Sequence, residues 1–201
     1  MKRTLFEITL VGIVAWLVWA LLTGDQPPRN THNICDIFAE KKHWYSAAKQ
    51  ASKKWNVPIT VPMAMMFQES SFRQDATPPM RTLFGIIPIG RKSSAYGFSQ
   101  ALDLTWDDYK TDTNNLLASR SDFADSIDFM GWFINKTNQI NKISRTNAQH
   151  QYLNYHEGWG AYSRRSYRKK AWLMKTAKKV KRRASTYAIQ YKGCKTTLDH
   201  R

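Results

Sequence analysis

Histidine and cysteine are scarce in this sequence: five scattered histidines and two cysteines in 201 residues. No Cys/His group has metal-ligand spacing, which argues against a structural zinc site, and no metal or cofactor is expected. Strand signals are also missing. The β-rich runs and turn signatures of a sandwich or barrel do not occur, and no repeat is visible. Acidic residues are few, 15 against 31 lysines and arginines, a net charge of +16. From Arg164 through Lys195 there is none at all, whereas Asp103, Asp107, Asp108, Asp112, Asp122, Asp125 and Asp128 crowd the middle.

The length suits one domain with a substantial core. Residues 1–23 stand apart. After MKR, an apolar run extends from Leu5 to Leu22 with Glu7 near its start. It is about long enough to cross the hydrocarbon layer, and Lys2 and Arg3 favour a cytoplasmic N-terminus. The following TGDQPPRN has no small-x-small cleavage pattern. An uncleaved membrane anchor is therefore expected, with the remainder in the periplasm. The alternatives are export after signal cleavage and a buried cytosolic helix. A polar linker, 24–34, leads to Cys35, and Cys194 lies near the other end, before a tail at 195–201. In an oxidising compartment a bridge between them would close a long loop; two unpaired thiols are the alternative.

Most of the chain has helical periodicity, so a mainly α fold is expected. The stretch 35–55 reads as one long or two short helices ending before Asn56 and Pro58. The next starts near Thr60 with Pro62 in its first turn. Thr105 is a candidate N-cap with Asp108 reaching back. Phe123, Ile127, Met130 and Ile134 recur at a helical period. So do Leu173, Ala177, Val180, Ala184, Ala188 and Tyr191, through a field of Lys and Arg, with Gly193 as a natural stop. The basic segment predicts a face turned to a polyanion: nucleic acid, phospholipid headgroups or peptide-bearing wall polymer.

One carboxylic acid is out of place. The run 57-VPITVPMAMMF-67 ends in 67-FQESSF-72, so Glu69 closes a helix that otherwise reads as core. Burial and the helix C-terminus both disfavour its charged form and raise its pKa, as a general acid requires. A solvated helix end is the plainer alternative. A second carboxylate, usual in glycoside cleavage, is not obvious. Glu157 lies in 154-NYHEGWGAY-162, and the aspartates at 103 to 128 look like caps and helix surface.

Three segments in order, 69-ESSF-72, 96-YGFSQ-100 and 155-YHEG-158, resemble the Glu-Ser, Gly-Leu-Met-Gln and Tyr-Asn-Ala-Gly motifs of the lysozyme-like lytic transglycosylases of the soluble (SLT) type. The resemblance covers roughly Cys35 to Cys194. It implies a single α-rich lysozyme-like catalytic domain over 35–194, behind the anchor. It also implies cleavage of the bond between N-acetylmuramic acid and N-acetylglucosamine in peptidoglycan, with no water or metal consumed. Position by position, Glu69 would be the acid and base, and Ser70 would help place substrate. Gly97 and Gln100 would shape the groove, and Tyr155 would orient Glu69 or support developing charge. The implied partner is the glycan strand of the bacterial envelope, with an anionic membrane surface as a second contact, no nucleic acid, and a monomeric enzyme.

The departures are Phe98 and Ser99 for Leu-Met, and His156 and Glu157 for Asn-Ala. Glu157 is either a groove residue that binds peptide or an exposed turn residue. Tyr155, Trp159 and Tyr162 are candidates for stacking on sugar, with Arg164 and Arg165 nearby, or for the core. The long connection 73–95, with its apolar centre from Leu83 to Ile89, is read most simply as core filling, although it could close one end of the groove or rest on a membrane. A hydrolase of the same fold, with Glu157 or Asp103 positioning water, a basic binding module and a non-cutting glycan scaffold remain open alternatives.

Overall fold

The computed structural model of the protein describes residues 25–83 and 86–200. Among them run helices α1 (Ile34–Glu40), α2 (Lys42–Trp55) and α3 (Thr60–Ser70), strands β1 (Met80–Leu83) and β2 (Ile87–Arg91), and helices α4 (Asp103–Thr113), α5 (Phe123–Asn141), α6 (Ala148–Glu157) and α7 (Trp159–Ser163). A 3-10 turn (Ser166–Lys169) and the long helix α8 (Ala171–Asp199) complete them.

The helix ends follow from local chemistry. The side chains of Asn33, Asp122 and Asn147 each accept a hydrogen bond from a first-turn amide of α1, α5 and α6 respectively. Left-handed residues close α2 at Asn56 and α3 at Ser71. In α4 the expected cap is misplaced: the helix starts two residues before Thr105, with Leu102 at the N-cap and no side chain capping it.

Helix α3 has no polar stripe because it lies at the centre. Val61, Met63, Ala64, Met65 and Met66 are all buried, and the helix packs against α8, α5 and α6. On α8 the buried residues Leu173, Ala177, Val180, Ala184 and Tyr187 alternate at four and three, a seam laid over α1, α3 and α6. Ala188 is exposed, and the stripe passes to Tyr187 instead. Helices α2 and α5 approach closely at Gly131, where a Cβ would sit 2.5 Å from the Trp55 ring.

Gly193 does not stop α8. The helix continues to Asp199 because its end is fastened: Cys194 is disulfide-bonded to Cys35 with Cα atoms 6.0 Å apart, Leu198 is buried, and Asp199 accepts from Tyr45 at 2.7 Å. The bridge spans 159 residues, so it removes roughly 5 kcal/mol of loop entropy from the unfolded chain.

Two expectations are corrected. In the connection 73–95, read as core filling, β1 and β2 instead form an antiparallel hairpin, and Met80, Ile86 and Ile89 are exposed on it. The fold is mainly α and SLT-like, but an anchored fold and an inner-membrane location are not supported. Among the described residues no helix is long and apolar enough to cross a membrane; the longest, α8, is studded with lysine and arginine. The segment from Leu5 to Leu22, on which that expectation rested, lies outside the described residues.

Candidate active site

Glu69 is the next-to-last residue of α3, and the chain leaves the helix through left-handed Ser71 and Phe72. Phe72 turns fully inward, against Trp44 and Phe67. Trp44 stacks on Phe123 with centroids 4.0 Å apart and meets Phe98 edge-on. This aromatic block fixes the end of α3. Phe98, one of the departures from the motif, is a core residue of that block.

The Glu69 carboxyl keeps intermediate exposure, yet protein surrounds it closely enough to strip most hydration. Burial pushes its pKa up to about 7, against the opposing hydrogen bond from Tyr152. Tyr152 is buried on α6 and has its own pKa raised by burial and by the charge of Glu69. An acid in this state is both protonated and ionised in appreciable amounts at neutral pH.

The segment 96–100 is tied to this helix end. Ser70 Oγ donates to the Phe98 carbonyl at 2.7 Å and contacts Met66 O at 3.3 Å. Gly97 has φ +74°, and a Cβ there would lie 2.0 Å from the Arg120 carbonyl oxygen, so no other residue fits. The Gly97 amide donates to Ala76 O at 2.9 Å. Gln100 Nε2 donates to Ala76 O at 2.7 Å and to Gly97 O at 3.0 Å. From the other side, Tyr155 donates to Ser99 O at 2.6 Å. Its hydroxyl pKa is raised by burial and by nearby Glu69.

Ser70 and Gly97 thus buttress the site from within, while Gln100, Tyr155 and Glu157 border one cleft of about 210 Å³ with Phe133, His156 and Trp159. Phe133 and Trp159 stack at 4.9 Å. Glu157 borders this cleft but turns its carboxylate inward, with 1% of the side chain exposed. Lys170 donates to it at 2.6 Å, and Ser166 and His156 add further bonds. Its burial would raise the pKa, but those donors outweigh it and hold the group below the usual glutamate range. Asp103 pairs with Arg120 at 2.8 Å. Tyr162 is elsewhere, bonded to His150 at 2.6 Å and stacked on Tyr167. Among the described residues no three His, Cys, Asp or Glu side chains are placed to hold a metal.

Tyr152 was missed by the sequence reading. Its signal was present: it lies three residues before Tyr155 on one helix, a spacing that puts both rings toward the same neighbours.

Glu69, its pKa raised at the end of a central helix, thus has Tyr152 and Tyr155 of α6 as neighbours, and Tyr155 is bonded to the 96–100 loop. Residues 8–194 match the model of the Transglycosylase SLT domain, so the chain belongs to the SLT-type lytic transglycosylases, enzymes that act on peptidoglycan. No curated protein and no solved structure matches it.

Proposed function

We propose that the protein cleaves the MurNAc-β-1,4-GlcNAc bond of peptidoglycan without water, with Glu69 as acid and then base. Protonated Glu69 gives its proton to the glycosidic oxygen as the bond to the muramoyl anomeric carbon breaks. The muramoyl C6 hydroxyl attacks that carbon and loses its proton to Glu69, leaving a 1,6-anhydro end and restoring the acid. Both half-steps need one group that is stable in either protonation state, and the Glu69 pKa of about 7 carries this reading. Tyr152 supports the ionised state by hydrogen bonding. Gln100 and Tyr155 fix the loop and wall of the cleft, and Ser70 and Gly97 act through that loop.

A hydrolase would use a second carboxylate to position water. Glu157 is committed to Lys170 and Asp103 to Arg120, which favours a nucleophile supplied by the sugar. Digestion of purified peptidoglycan followed by mass spectrometry separates the two. Anhydro-muramoyl ends that vanish in Glu69→Gln are expected; reducing ends would overturn the transglycosylase reading in favour of hydrolysis.

A further inference from the structure

A second cleft, of about 440 Å³, lies between the helix that carries Glu69 and α8. Phe67 and Gln68 of α3 form one wall, and Lys179, Arg182, Arg183 and Thr186 of α8 form the other. Those four α8 residues fall at i, i+3, i+4 and i+7, so the sequence sets them on one stripe beside the buried seam. Arg183 is built into the wall: its guanidinium lies 3.8 Å from the Phe67 ring centroid and bonds His32 at 2.9 Å. Lys179 and Arg182 are exposed. Among the described residues neither has a carboxylate within ion-pair distance.

Like charges at helical spacings of three and four repel, and this stretch of α8 holds no acid to relieve them. A simple solvated face has no reason to converge on a cleft. Nor does the stripe seek a general polyanion, since its wall is shared with the helix of the reacting acid. Gln68 precedes Glu69 by one residue, a rise of about 1.5 Å. A strand held at Glu69 carries peptides on its muramoyl units, and three peptide residues reach roughly 10 Å.

We propose that this cleft is a subsite for the anionic stem peptide of the substrate, with Lys179 and Arg182 meeting its carboxylates. The inference rests on the peptidoglycan reading above. The apolar stem of Arg183 and the Phe67 ring give the peptide backbone a wall, and Gln68 offers an amide to it.

The test is binding rather than cleavage, so it does not depend on catalysis. The probe is a disaccharide-tetrapeptide, titrated by calorimetry against the full chain and Lys179→Gln/Arg182→Gln, which leaves Arg183 and the core intact. About tenfold weaker binding is expected in the variant. The same weakening is expected for the parent protein when the probe's carboxylates are amidated, with no further loss when both changes are combined. Equal affinity in all pairings overturns the subsite. So does a variant that keeps muropeptide affinity but loses binding to phosphatidylglycerol vesicles or duplex DNA. Cleavage of intact strands, measured beside it, judges the reaction separately: binding by the parent protein that does not depend on the probe's carboxylates, together with normal anhydro products, removes this subsite and leaves the transglycosylase.

Discussion

Glu69 and Glu157 both stand at the end of a helix, and their environments move their pKa values in opposite directions. Glu69 ends α3, where burial raises its pKa and Tyr152 is the neighbour that opposes the rise. Glu157 ends α6, has its side chain 1% exposed, and receives bonds from Lys170, Ser166 and His156. Burial penalises both carboxylates. The number and charge of donors decide which one ionises. A buried acid with one neutral donor stays ready to give a proton, and one with a cationic donor becomes a structural anion.

The sharpest way to break this contrast is to neutralise each in turn. Glu69→Gln is expected to lower kcat/KM on peptidoglycan about a thousandfold, because the proposed mechanism routes both proton transfers through Glu69. Glu157→Gln is expected to keep kcat/KM within roughly threefold, the change acting only through the α6 end. Comparable losses in both would mean that Glu157 takes part in the chemistry and that the two-role assignment fails.

Stability should separate the pair with opposite signs. For Glu69 the folded pKa of about 7 lies above the ordinary value of 4.5. The unfolded chain therefore ionises first as pH rises, and folding loses about 3 kcal/mol between those two values. Glu69→Gln should raise the melting temperature at pH 8 and match the parent at pH 4. For Glu157 the folded pKa is depressed. Its contribution is present above the unfolded value and disappears as pH falls through the folded one. Glu157→Gln should cost about 2 kcal/mol at pH 7 and converge on the parent in acid. Thermal melts of both variants from about pH 2 to about pH 8 check the crossing, and parallel curves would contradict the burial assigned to Glu69.

Only the Glu69 half of this contrast was legible before the structure; Glu157 read as a groove residue or an exposed turn, and its inward turn toward Lys170 was not seen. Glu69 stood out because an apolar run surrounds it, and the buried faces of α5 and α8 follow their periodicity. Three features were hidden for physical reasons. Lys170 reaches Glu157 across a 3-10 turn, a geometry no local pattern encodes. Strands β1 and β2 pair with each other across a register shift at Arg81 and Thr82, which no alternation in the sequence announces. Gly193 reads as a stop, yet the disulfide and the contacts of Leu198 and Asp199 hold the helix beyond it.

Tyr152 and Tyr155 present the subtlest hidden choice, because spacing alone sends both rings toward Glu69. Their hydroxyls have different employment: Tyr152 donates to the carboxylate, and Tyr155 donates to Ser99 O. Tyr152→Phe removes the hydroxyl that favours ionised Glu69, so its pKa should climb above about 7. The alkaline limb of kcat/KM should then move up by roughly one pH unit, the worth of one such bond. Tyr155→Phe should leave that limb in place and instead lower stability by about 1 kcal/mol, by freeing the carbonyl of the 96–100 loop. A pH–rate profile of the two variants decides between them: a limb that moves for Tyr155→Phe and stays for Tyr152→Phe would exchange their roles, leaving the acid where it is.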